Sequence, residues 1–206
     1  MRILIRNLGE LCITAGLVML LFVTYELWGT GRYTRQQQDV LNKELLKSWQ
    51  APNVTTEKVK LGKGLAMIRI PRFGPKYRFV IIEGVDLADL RKGPGHYPGS
   101  ALPGEVGNFV VSGHRTTYSA PFNRAGELRA GDKILIDTRQ KQYVYEVTGK
   151  RIVKPSAVEV TAPVPLKPKD KPTKPMITLT TCHPKYSAAQ RLIIFGELTG
   201  ELPRRA

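Results

Sequence analysis

A run of 18 residues near the N-terminus, LCITAGLVMLLFVTYELW from Leu11 to Trp28, carries a single charge, Glu26, close to its far end. As an α-helix rising ~1.5 Å per residue it reaches roughly 27 Å, about the thickness of a bilayer's hydrocarbon core. Tyr25 and Trp28 fall where an interfacial aromatic belt sits. A cleaved signal peptide needs a small-residue cleavage site behind the apolar run, and TYELWGTGRY does not supply one. The expectation is an uncleaved transmembrane anchor over residues 11–28, behind a short cytoplasmic segment of residues 1–10. Arg2 and Arg6 precede the span and Arg32 and Arg35 follow it, so flanking charge barely sets a direction. A long globular segment behind one N-terminal span is ordinarily exported. The expected topology is a single pass of the cell membrane, N-terminus cytoplasmic and remainder extracellular.

Export narrows what the charge can mean. The 206 residues carry a formal charge of +15, which calls for an acidic partner. Outside the cell that partner is anionic lipid or an acidic wall polymer, and nucleic acid drops out. Hydrophobic residues at 42% and charged residues at 24% describe one ordinary domain with a core, and disorder is not the default reading. Cys12 lies inside the expected span, so Cys182 has no partner in the exported part. An odd exported thiol is flagged as reactive or intermolecular, against the alternative of a buried inert side chain. One exported cysteine and three scattered histidines lack metal-ligand spacing, and no metal or other cofactor is expected.

Residues 29–62 read as stalk and linker. Val40, Leu41, Leu45 and Trp49 have helical spacing, so either a short amphipathic helix ends before Pro52 or the segment is a solvated tether. Residues 63–201 change texture to short strands punctuated by glycine and proline, with residues 202–206 as a tail. LAMIRIPRFG and YRFVIIEGV start the series, and FVVSGH is a buried strand ending at His114. DKILIDTRQKQYVYEVTGKRIV is a hairpin turning near Thr138 to Lys141, and ITLTTC and RLIIFGEL close the domain. LRKGPGHYPGSALPGEVGN reads as a long loop without helix, and the proline-rich second half of KPSAVEVTAPVPLKPKDKPTKP as an extended, mobile connection. Short strands with little helix argue for an all-β fold, a closed or nearly closed barrel.

A cysteine nucleophile needs a base partner and a donor for the oxyanion it creates. His183 adjoins Cys182, but successive strand residues face opposite ways. His96 sits mid-loop between Gly95 and Tyr97. His114 ends a strand and opens onto a polar loop, where rigid scaffolds present functional groups, and it is the best candidate. An antiparallel return from Cys182 through HPKYSAAQ brings Arg191 near the thiol, and a guanidinium can donate to an oxyanion.

TLTTC with an arginine nine residues later resembles the signature of sortases, the cysteine transpeptidases of Gram-positive cell surfaces. VSGHRT resembles their histidine motif and GPGHYPGSALPGEVGN the segment before it, so the likeness runs from roughly Gly64 to Leu198. GHRTTYSAPF together with HYPGSALPG is most similar to class E, with classes D and F as alternatives. The resemblance implies an eight-stranded β-barrel with short helices, and cleavage of an LAxTG or LPxTG sorting signal between Thr and Gly. Cys182 would form the thioester, His114 would protonate the leaving amine, and Arg191 would stabilise the oxyanion. Thr180 and Thr181 would contact the substrate, Thr181 supporting the oxyanion pocket through its hydroxyl or backbone, and Tyr97 matches a tyrosine linked to the LAxTG choice. The implied partners are exported proteins bearing that signal and a peptidoglycan-precursor amine. A cysteine peptidase using water, a pilus-polymerising class and an inert wall-binding scaffold are the competing readings.

Overall fold

The computed structural model describes residues 2–51 and 59–204, and of Leu27 and Trp28 only the backbone. The interfacial position expected for the Trp28 side chain, and the linker from residue 52 to residue 58, therefore lie outside the described residues. Helix α1 spans Arg2–Thr24 and is long and apolar enough to cross a membrane. It starts nine residues before the apolar run, because RILIRNLGE contains no helix-breaking proline and only one glycine. A π-type turn, Tyr25–Gly29, leads without a break into α2, Thr30–Gln50.

The amphipathic pattern in α2 prevails over the tether. Leu41 and Leu45 are buried against Met67, Val80 and Ile82, with Trp49 packed beside them. Burying each leucine contributes about 2 kcal/mol on a transfer scale. Gln38 adds a polar clasp: it accepts from the Val80 N–H at 2.7 Å and donates to the carbonyls of Val80 and Lys92. Arg204 lies over the Trp49 ring at 4.9 Å. Val40 stays on the solvent face.

The strands are β1 Gly64–Arg69, β2 Arg78–Glu83, β3 Gly95–His96, β4 Gly107–Ser112, β5 Lys133–Asp137, β6 Lys141–Val153, β7 Pro175–His183 and β8 Gln190–Pro203. They close into a barrel in the order β1-β2-β3-β4-β7-β8-β6-β5, the closed eight-stranded barrel expected from the sequence. Closure leaves no free sheet edge. Inward-facing residues, among them Ile68, Phe109, Val111, Ile134, Tyr145, Ile177, Leu179 and Ile194, form one core. Tyr145 is fully buried, and its hydroxyl is satisfied by the Gly104 N–H at 2.8 Å.

Two segments differ from the sequence reading. The long Gly/Pro-rich loop contains β3, which pairs in parallel with β2 and antiparallel with β4. A two-residue strand is too short to carry a periodic signal. A helical turn, α3 Leu87–Leu90, stands just before it. The β6–β7 connection also turns back on the barrel: Val160 is buried with Ile193 and Phe195, and Leu166 packs beside them. Its prolines set the turns without extending the chain.

Candidate active site

Strands β4 and β7 run parallel, with Ser112 opposite Thr180. Beyond that pair the Gly113 N–H donates to the Thr180 carbonyl at 3.1 Å, and the Thr181 hydroxyl donates to the Gly113 carbonyl at 2.7 Å. Two residues further along each strand stand His114 and Cys182. Gly113 is required here, since a Cβ at that position would meet the Phe122 ring at 2.7 Å. His114 and Cys182 line one cleft of about 390 Å³, together with Arg115, Thr116, Thr117 and Tyr186. Phe22, Val23 and Glu26, at the end of the apolar helix, form part of its wall.

Alternation along β7 sorts the other candidates. Ile177 and Leu179 enter the core, so Thr178, Thr180 and Cys182 point outward. Thr180 lies on the outer face between the cleft and the strand's start, and Thr181 is buried with its hydroxyl committed to Gly113. His183 falls on the face away from Cys182, with its Nδ1 buried and unpaired among the described residues. Arg191 stands directly opposite Cys182 in the antiparallel β7–β8 ladder. Its Nη1 donates to the carbonyls of Ala188 and Gln190 at 2.9 and 3.0 Å, which folds the guanidinium onto its own turn beside the cleft.

Tyr97 is not in that cleft. It lines a second one, of about 500 Å³, with Pro98, Ser100, Val106, Thr161 and Pro163. The Tyr97 N–H donates to the Val110 carbonyl at 2.9 Å. Tyr97–Ser100 is a turn closed by the Ser100 N–H on the Tyr97 carbonyl, with Gly99 at φ 85° supplying the left-handed position behind Pro98. His96 is no loop residue: it is buried in β3, its Nδ1 2.6 Å from Glu83 Oε2 and its Nε2 2.8 Å from Ser100 Oγ. Its ring stacks on Phe109. Those contacts occupy both ring nitrogens and remove His96 from any partnership with the thiol.

Two residues that sequence reasoning missed belong to the nucleophile's surroundings. Arg115, 7% exposed, donates to the Cys182 carbonyl at 3.1 Å and to the Asn123 carbonyl at 3.2 Å. Burial lowers its pKa, and the neighbouring Cys182 offsets part of that shift. Tyr118 packs its ring 5.0 Å from that of His114, and the Arg91 guanidinium lies over Tyr118 at 5.8 Å. The only signal for Arg115 was its place directly after His114, and 32 lysines and arginines make such adjacency uninformative.

The His114 Nε2 is buried without a partner among the described residues. Burial first, and the Arg91 charge second, hold the His114 pKa below the ordinary imidazole value. The unfolded chain therefore takes up this proton before the folded one does. The histidine's contribution is complete above the ordinary value near 6.5 and is lost as pH falls below it. Arg91→Gln removes the second cause and raises the folded pKa. Its thermal stability is expected to fall less steeply than wild type between about pH 7 and about pH 5, read as the difference between two melting-temperature profiles. Parallel profiles would remove Arg91 from the account.

Comparison with known proteins follows the same geometry. The sortase-domain profile matches residues 68–199. Sortase SrtE1 of Streptomyces coelicolor is 34% identical over 207 residues, covering 97% of this chain. This chain spans 58% of that relative's length. Sortase D of Bacillus subtilis is 35% identical over 151 residues, 72% of this chain and 70% of its own. Among solved structures, the SrtA sortase from Actinomyces oris has a TM-score of 0.68 at 38% identity, covering 75% of this chain and 89% of that one. Sortase E from Streptomyces avermitilis has a TM-score of 0.65 at 36% identity, covering 70% and 93%.

Proposed function

The chain belongs to the sortase family, and from that premise we propose that it is a membrane-anchored cysteine transpeptidase that cleaves an LAxTG- or LPxTG-type sorting signal and transfers the protein to a wall-precursor amine. The observation that carries the reading is that Cys182 and His114 line one cleft while Arg191 sits across the ladder from Cys182. Cys182 Sγ attacks the Thr–Gly carbonyl, and His114 takes the thiol proton and delivers it to the departing glycine amine. Arg191, on the same face as Cys182, donates to the oxyanion of each tetrahedral intermediate. An incoming amine then displaces the thioester sulphur, with the proton returning through His114. Thr180 lies under the peptide, and Thr181 holds the end of β4 that presents the histidine.

The Tyr97 cleft and the Cys182 cleft are spaced about one signal's length apart. From Thr178, paired with Val110 beside Tyr97, to Cys182 is four residues along β7, or roughly 13 Å. An extended Leu-Ala-x-Thr segment spans about the same distance. With its threonine at Cys182, its first two residues reach the cleft lined by Tyr97, Pro98 and Pro163. That supports Tyr97 as a specificity contact and the class E reading over classes D and F. Helix α1 supports a single-pass anchor, and the long segment behind it favours a cytoplasmic N-terminus with the barrel outside.

The test is mass spectrometry on the full chain in detergent, with LAxTG and LPxTG peptides and a glycine-based amine. Joined product, with LAxTG preferred, is the expected result. Cleavage to a free threonine carboxylate would identify a peptidase, and the absence of any thioester at Cys182 would point to an inert scaffold.

A further inference from the structure

Behind His114 the backbone does something costly. Tyr118, Ser119 and Ala120, none of them glycine, have φ of 51°, 59° and 42° in succession. Each left-handed residue costs about 1 kcal/mol or more, and such a run persists only where its surroundings over-determine it. The loop supplies one of the restraints itself, the Ala120 N–H on the Thr117 carbonyl at 2.8 Å. The Asn123 N–H on the Ala120 carbonyl at 2.9 Å is another, and two more come from α2. The Tyr118 N–H donates to Thr30 Oγ1 at 3.3 Å, and Ser119 Oγ donates to the Gly31 carbonyl at 2.9 Å.

One turn along the same face, the Thr34 hydroxyl donates to the Arg91 carbonyl at 2.8 Å. Thr30 and Thr34 are buried, Thr34 completely. Threonine is a mediocre helix former, and a buried helix face gains more from leucine or alanine. The Thr30 hydroxyl donates within the helix to the Glu26 carbonyl at 2.6 Å while accepting from Tyr118, and the Thr34 hydroxyl is shared between the Thr30 carbonyl at 3.2 Å and that of Arg91, so each links the helix to the barrel. What they hold is the setting of the histidine, since Tyr118 packs on the His114 ring and Arg91 lies over Tyr118. The same rod, one to two turns earlier, contributes Phe22, Val23 and Glu26 to the cleft wall.

We propose that α2 is a positioning element of the active site: Thr30, Gly31 and Thr34 hold the strained 118–120 loop and the Arg91 backbone, and so fix Tyr118 and Arg91 against His114. The inference rests on the reading of Cys182 and His114 as the reacting pair. Helix α2 acts through the histidine and touches no substrate, so weakening it lowers the rate of proton transfer and leaves peptide binding alone.

The experiment uses the full chain in detergent with an LAxTG peptide and a glycine-based amine, comparing wild type, Thr30→Val with Thr34→Val, and Thr30→Ser with Thr34→Ser. The valine pair keeps the volume and loses both hydroxyls. It is expected to lower kcat about ten-fold with KM for the peptide within about two-fold, and the serine pair to restore the rate. Unchanged kcat in the valine pair, a raised KM at constant kcat, or a serine pair as slow as the valine pair would each overturn the proposal. If the valine pair does not fold, Ser119→Ala breaks the bond to Gly31 from the loop side. A kcat loss of about five-fold there supports the clamp, and an unchanged kcat overturns it. A wild-type chain that forms neither thioester nor product sinks the functional reading and the clamp together. Wild-type transfer with unaffected variants sinks the clamp alone.

Discussion

Cys182→Ala is expected to abolish both thioester and transfer product, a loss of at least ~10⁴-fold, while the barrel stays folded. The sulphur points outward from β7 and belongs to no part of the core, whose nearest members, Leu179 and Leu192, face the other way. Its removal changes the melting temperature by no more than about 2 °C, the scale of a surface substitution in a domain of this size. Intact-mass analysis of each protein with peptide, before amine is added, is the measurement. Cys12 remains in the variant, so any acyl adduct there would be seen at once as chemistry at the wrong thiol. Turnover like wild type would sink the mechanism.

Removing the base gives the second large effect. His114→Asn retains a polar group in the cleft but cannot carry a proton from sulphur to the leaving amine. Without protonation the glycine amine is a far worse leaving group than the thiolate, and the tetrahedral adduct collapses back to peptide. A loss of about 10³-fold in kcat/KM is expected, within the range of general acid–base effects. It should appear already in the rate of thioester formation followed by rapid quench. His183→Asn is the matched control. That residue adjoins the nucleophile in sequence but faces away from it, and the expected change is less than about three-fold. Comparable losses in the two variants would mean that the partner has been misassigned.

The positions of these groups were legible in the sequence to different depths. Cys182, His114 and Arg191 could be brought together because each lies at or beyond a strand end, where the two-residue alternation and an antiparallel return fix direction. The β7–β8 register then places Arg191 opposite Cys182. The barrel was legible as a class, from short strands and turn residues, but its strand order depends on parallel pairings of β2 with β3 and β4 with β7. Such pairings join segments distant in the chain and leave no local mark. His96 was read as a loop residue because its neighbours are glycine and tyrosine. Its burial comes from Glu83, 13 residues earlier, and from Phe109, neither visible from local composition. The role of residues 29–50 was least legible. Leu41 and Leu45 announced an amphipathic helix, while the polar contacts of Thr30, Thr34 and Gln38 are made to backbone atoms, which every residue possesses.

The unbroken passage from α1 through the π-type turn to α2 also turns the protein into a ruler. From Thr24, where the apolar helix ends, to Gly31, which the histidine loop touches, is seven residues, or roughly 10 Å of rise. With α2 fastened along the barrel, the same helix carries the catalytic end at that height. On the proposed reading of α1 as a membrane anchor, the enzyme would meet its substrates on a surface and sort them by geometry before chemistry begins. On that reading a signal held close to the membrane would arrive level with Cys182, whereas one on a longer tether would have to double back to reach it.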